Sequence, residues 1–151
     1  MDRVDRIEDL GEAESLRLLS TVPIGRVVYT EHALLRVLPA AFEVGADGRL
    51  VLALLPVDNL ARALDGTVAA FQADRLEESS RSGWSVVVHG RAALVRDPAA
   101  HAALLHAGPR LWTIEREPMF VRLAVELVTG RRLLPPLPAV AAPACPHPGV
   151  R

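Results

Sequence analysis

The chain has 151 residues and a net charge of −1, and half of it is hydrophobic while only 4% is aromatic. It is long enough for one domain whose core must be built mainly of Val, Leu and Ala, and its near-neutral charge gives no bulk attraction to nucleic acid or to an anionic membrane. All 17 basic residues are arginine, which removes Schiff-base lysine chemistry, and the single cysteine, Cys145, excludes an intrachain disulfide.

Met1 to Asp9 is charged throughout, so it reads as a flexible N-terminus and not as a signal peptide. No apolar run is long enough to span a bilayer, and with one cysteine the expected compartment is the cytoplasm. Leu10 to Ser20 predicts a helix, with Ala13, Leu16 and Leu19 or Ser20 on one face and Glu12 and Glu14 early, where the helix dipole favours them. Ile24 to Thr30 is rich in β-branched residues and predicts a strand. Leu34 to Val44 predicts a second, with Pro39 inside it, which suits a sheet edge or a bulge. Ala46-Asp47-Gly48 is a tight-turn signal. Arg49 to Leu55 follows as a third strand, apolar on both faces and hence deeply buried.

Leu60 to Leu64 predicts a short helix, with Asp58 or Asn59 as N-cap and Gly66 just past its end. Thr67 to Ala73 is a fourth strand and Glu77 to Ser82 a polar loop. Gly83 to about Val95 is the longest strand: Trp84, Val86, Val88, Gly90 and Ala92 share one wholly apolar face, and Ser85, Val87, His89, Arg91 and Ala93 share a mixed one. Asp97-Pro98 caps a helix running to about His106. Gly108 to Pro118 is a polar excursion carrying Trp112, and Met119 to Val128 is the last strand. From Pro135 onward Pro and Ala dominate, so 135–151 reads as a disordered tail behind a domain spanning 10–134. The order is helix, three strands, short helix, two strands, helix, strand. Parallel βαβ alternation is absent. The expected fold is mainly β, a six-stranded antiparallel barrel with peripheral helices.

LSTVPIGRVV, the hairpin after it, LARALDG, RSGWSVVVHGRAALVRDP and FVRLAVELVTGRR, taken in that order, resemble the pyridoxamine 5′-phosphate oxidase-related proteins. The likeness is to the short actinobacterial members with a flavin-binding split barrel, and it covers roughly Leu10 to Arg132. The resemblance implies a homodimer with two FMN sites at the subunit interface and flavin-dependent oxidoreductase chemistry; some relatives take the deazaflavin F420 or haem instead. It implies an isoalloxazine near Trp84 and Ser85 and a phosphate held from the second and third strands and the loop after them. The candidate cofactor residues are therefore Arg36, Phe42, Leu55, Asn59, Arg62, Trp84 and Ser85.

The chain departs from the family where phosphate is held. Many members read like TxxGTK after the third strand; here Leu54-Leu55-Pro56-Val57-Asp58-Asn59 contains no Ser, Thr, Lys or Arg, and Asp58 repels a phosphate. In the second strand Ala40-Ala41-Phe42 stands where members often carry Asn. Arg62 or Arg36 could substitute, as could the backbone N–H groups at Asn59 to Ala61. The alternative is a cofactor-free barrel that serves as a dimeric binding module.

Each candidate has a plainer reading beside the functional one. Trp84 is equally a core tryptophan, and Ser85 and Arg91 equally solvent-facing residues of a boundary strand. Arg26, Arg131 and Arg132 read as anion contacts or as solvated strand residues. Trp112 is a lid or interface candidate, or a loop residue packed on the barrel. His89 is the histidine that a haem would need to find in the cleft. His101 and His106 are wrongly spaced to share one face of a helix, and Cys145-Pro146-His147 lacks partners, so no metal is expected. No GxSxG, HExxH, P-loop or GxGxxG motif occurs.

Overall fold

A computed structural model describes residues 6–57, 59–112 and 115–138; the tail from residue 139 onward, with its Cys145-Pro146-His147 pair, lies outside the described residues. The elements are β1 (Ile7–Leu10), α1 (Glu12–Leu19), β2 (Ile24–Glu31), β3 (Leu34–Val44), β4 (Leu50–Leu54), α2 (Leu60–Leu64), β5 (Val68–Glu77), β6 (Ser82–Leu94), α3 (Pro98–Ala107), β7 (Met119–Leu123) and β8 (Leu127–Leu133). Antiparallel pairing runs β6–β5–β2–β3–β4–β7 and returns to β6, which closes a six-stranded barrel; β8 and β1 extend the sheet from another part of β6.

The long strand makes this possible. Its 13 residues outreach every partner, so one edge serves two neighbours: Gly83 to His89 pair with β8 and Ala92 to Leu94 pair with β7. Between these blocks the chain stays beside β6, with the Ala124 N–H donating to the Arg91 carbonyl and the Glu126 N–H to that of His89, and bulges by one residue, so that a Cβ at Gly90 would lie 1.7 Å from the Ala124 carbonyl oxygen. Glycine is the residue that lets the bulged backbone come this close. The single last strand expected over 119–128 is therefore two strands, because a bulge at 124–126 interrupts its ladder with β6.

The N-terminal expectation is also corrected. Ile7 to Leu10 is not flexible but forms β1, registered against Leu133 to Gly130 of β8. An edge of β8 needs partners for its backbone groups, whatever the charge of the side chains that supply them. On α1 the buried residues are Ser15, Leu18 and Leu19, while Ala13 is exposed. β5 runs to Glu77 and shortens the expected polar loop to a turn at 78–81. Other local signals act as expected. Gly48 has φ +81°, and the Asp97 side chain accepts a hydrogen bond from the Ala100 N–H at 2.9 Å. Pro39 lies where β3 is paired with β2 alone, since β4 joins only from Ala41.

The barrel interior is filled from alternate positions: Trp84, Val86, Val88 and Ala92 of β6, Phe71 of β5, Val27 of β2, and Leu50, Leu52 and Leu54 of β4, joined by Leu18 and Leu19 of α1 and Leu60 and Leu64 of α2. Phe42 and Phe71 meet with ring centroids 4.6 Å apart. A second cluster forms outside the wall, where Ala41, Val51, Ala53 and Phe120 are covered by Ala100 and Leu104 of α3 and by Leu111. Helix cover on the outer side is why β4 is buried on both faces.

Candidate functional site

Where α3 stops covering the wall, a cleft begins. Its floor comes from Ile24 of β2 and Leu38 to Ala41 of β3. One side is Leu54, Leu55 and Val57 after β4, and the other is Leu111 and Trp112 of the loop that follows α3. The cleft volume is about 220 Å³, below the roughly 300–1,000 Å³ usual for a complete small-molecule site. Every lining side chain is apolar except for the Trp112 indole N–H. Trp112 itself is 76% exposed at the rim, so it offers a ring face without having to leave a packed position. Beyond Pro39 the outer wall continues as an apolar row interrupted by His89. Val37 pairs with Val28, Val28 with Ala70, and Ala70 with His89, which pairs with Leu127.

Among the candidate residues, Leu55 lines this cleft. Phe42 and Trp84 do not: strand alternation puts both rings inside the barrel, among the core residues. Ser85 lies on the outer wall in a polar chain in which Arg26 Nη1 donates to Gln72 Oε1 (3.4 Å), and Gln72 Nε2 donates to Asp74 Oδ2 (2.6 Å) and Ser85 Oγ (3.3 Å). Arg36 faces Glu31 at 3.3 Å. Asn59 and Arg62 share a separate polar hollow with Thr30, Glu31 and His32. Asn59 sits at φ +63° at the start of α2 and makes no side-chain cap hydrogen bond. Arg91 donates to the Gly66 carbonyl, and His89 lies on the exposed outer wall rather than among the cleft residues.

The terminal arginines divide in the same way. Arg131 is an exposed strand residue, whereas Arg132 reaches Glu14 Oε1 at 3.0 Å and ties β8 to α1. The hydrogen bond from Arg17, backed by Arg132, holds the Glu14 carboxyl near pH 2. Pro39 and Leu111 belong to the cleft but carry no chemistry that a sequence reading would single out.

A flavin fits this cleft at one end only. The apolar edge of a flavin ring suits the walls, with Trp112 and Pro39 as flat surfaces, whereas its carbonyl and N–H edge meets no side-chain partner among the described lining residues except the Trp112 indole N–H. A phosphate finds no cation among the described lining residues. The pyridoxamine 5′-phosphate oxidase profile matches residues 11–132. The chain belongs to this family. An uncharacterized protein from Mycobacterium tuberculosis is 37% identical over 136 residues, covering 85% of this chain and 86% of the relative. An FAD-binding protein from Mycobacterium smegmatis is 27% identical at TM-score 0.63, over 84% of this chain and 98% of that one. A conserved protein of unknown function from Corynebacterium diphtheriae is 28% identical at TM-score 0.70, over 86% and 100%. Among the described residues no helix is long and apolar enough to cross a membrane, and no group of three or more potential metal ligands comes together.

Proposed function

We propose that this chain is a flavin-binding split-barrel protein that acts as a homodimer in oxidoreductase chemistry. The observation that carries the reading is the apolar cleft on the outer barrel wall, lined by Pro39, Leu55 and Trp112, in a family with an FAD-binding relative. Its small volume and its position beside an exposed apolar strip support a half-site that a second copy completes. Val37, Val68 and Leu127, all more than half exposed, make that strip self-complementary in a two-fold pair. A bound flavin supplies hydride or electron transfer, and the protein supplies position and electrostatics. FMN and FAD are the leading cofactors. F420 would use the same apolar walls. Haem has less support, because His89 is not among the cleft residues.

The test is titration of the purified full-length chain with FMN and with FAD, followed by gel filtration. Expected are a flavin absorption band that travels with the protein and an elution volume of a dimer. Protein that stays colourless at saturating flavin, F420 and haem supports the cofactor-free binding module instead.

A further inference from the structure

We infer that His101 and Glu117 are positioning residues for the cleft: their contact is a pH-sensitive clasp that holds the wall formed by Leu111 and Trp112 in place. The inference rests on the flavin reading for the ligand it uses, and on geometry alone for the clasp. The wall belongs to the excursion between α3 and β7, whose two limbs are held in different ways. Packing and backbone hold the first limb. The Gly108 N–H donates to the Leu104 carbonyl at 2.8 Å, Pro109 is buried, and Leu111 packs on the outer cluster. A side-chain pair ties the second limb to α3: His101 Nε2 lies 2.8 Å from Glu117 Oε1. A carboxylate only accepts, so Nε2 carries the proton and donates it. The imidazole is also held edge-on against Phe120, with ring centroids 5.2 Å apart. Trp112 lies between the two limbs, at the cleft mouth.

Imidazole is the side chain that ordinarily changes charge between about pH 5 and 8. Neutral, it gives Glu117 a plain hydrogen bond; protonated, it gives a charge-assisted one of roughly twice the strength. When the second limb leaves α3, the wall is complete in a smaller fraction of molecules, and apparent affinity for a cleft ligand falls by that fraction. The Glu117 side chain is 64% exposed, so screening limits the gain to about threefold. The charged groups around the pair come from each packed element. On α3, Asp97 is engaged as the cap of Ala100, and His106 lies five residues on, where its carbonyl accepts from Arg110. Glu115 and Arg116 precede Glu117 on the loop, and Arg122 follows Phe120 by two residues on β7. β4 contributes only Val51 and Ala53 beneath the helix. Thr113 and Ile114, the remaining residues of the excursion, carry no ionisable side chain. Carboxylates and guanidinium groups ordinarily keep their charge between pH 6 and 8, which leaves His106 as the one other group here that titrates, and it is present in every protein compared below.

The experiment titrates full-length wild type, Glu117→Gln and His101→Gln with FMN at about pH 6 and pH 8. Both variants keep a hydrogen-bonding group and lose the change of charge. The FMN phosphate titrates in the same window, so the result is the wild-type affinity ratio between the two pH values divided by that of each variant. A quotient of about threefold in favour of pH 6 is expected for both. A ligand-free measurement accompanies it. The fluorescence anisotropy of Trp112, taken as the difference between each protein and its Trp112→Phe counterpart, should be higher at pH 6 than at pH 8 in wild type and the same at both in the two variants. Quotients of one, with Trp112 anisotropy that does not distinguish wild type from the variants, overturn the clasp and leave the flavin reading standing. If FMN binds to none of the proteins, the flavin reading falls, and the Trp112 signal alone decides: a pH response confined to wild type keeps the clasp, and a shared or absent response overturns it.

Discussion

On the inner face of β6, Trp84, Val86 and Val88 are at most 7% exposed; on the outer face of β3, Leu35 and Val37 are 76% and 57% exposed. Both surfaces are apolar and belong to one barrel wall, yet the chain covers only the first. Inside, alternate residues from facing strands fill each other's space, and α1 and α2 add leucines to the same core. Outside, α3 and Leu111 cover β4, β7 and the Ala41 end of β3 but leave Leu35 and Val37 of β3 and Val68 of β5 exposed. Scattered exposed hydrophobic residues need no explanation, whereas a contiguous strip beside a cleft does. Apolar character alone does not make a core; a core needs a partner surface, and the outer wall lacks one within a single chain.

That contrast can be broken most strongly from the inside. Phe71→Ala removes a fully buried ring that touches Phe42 and should cost about 3–5 kcal/mol, read as a lower urea midpoint in equilibrium unfolding. Gly90→Val attacks the same wall at the bulge, where the Ala124 carbonyl leaves no room for a side chain. It should cost about 1–3 kcal/mol or more, with an early thermal transition or insoluble protein. A Gly90→Val protein as stable as wild type would show that β6 does not need this close approach.

Substitutions on the outer wall should act differently. Val37→Lys should change single-chain stability by less than about 1 kcal/mol, yet weaken self-association at least tenfold in sedimentation experiments, because the proposed two-fold pairing would bring two copies of the charge together. Trp112→Ala should leave the melting temperature nearly unchanged and weaken flavin binding by roughly five- to tenfold, measured by titration. Normal dimers in Val37→Lys, or full affinity in Trp112→Ala, would return the outer wall to ordinary exposed surface.

The smallest effect lies at the α1–β8 contact. Glu14 has its pKa lowered from 4.5 to about 2 by Arg17 and then Arg132. A depressed carboxylate contributes stability above its unfolded pKa and loses it as pH falls towards the folded value. Wild-type stability should therefore fall between about pH 4.5 and 2 by slightly more than that of Glu14→Gln, compared by urea midpoints at pH 6, 4 and 2.5. The group is exposed to solvent, so screening keeps the difference small.

Much of the barrel was legible because its signals are local. Period-two alternation assigned both faces of β6 correctly, from Trp84 inward to Arg91 outward. Asp47-Gly48 and Asp97-Pro98 marked a turn and a helix start through chemistry confined to a few residues. The candidate site was much less legible. Arg36 and Arg62 were reasonable substitutes by type, but Glu31 holds one and a separate hollow the other. Phe42 and Trp84 carry their rings on the inner side of the wall, away from the cleft.

By itself, then, the sequence determined β2 to β6, the antiparallel character of the barrel, the buried face of β6 and the family, since each rests on neighbouring residues or on their order along the chain. Tertiary structure alone decided that the chain beside β6 bulges opposite Gly90 and splits into β7 and β8, that residues 7–10 become a strand, and that Ile24, Pro39, Leu55 and Trp112 line one cleft. Those outcomes depend on register between strands far apart in sequence, and on where each guanidinium is directed. Neither leaves a periodic trace in the chain.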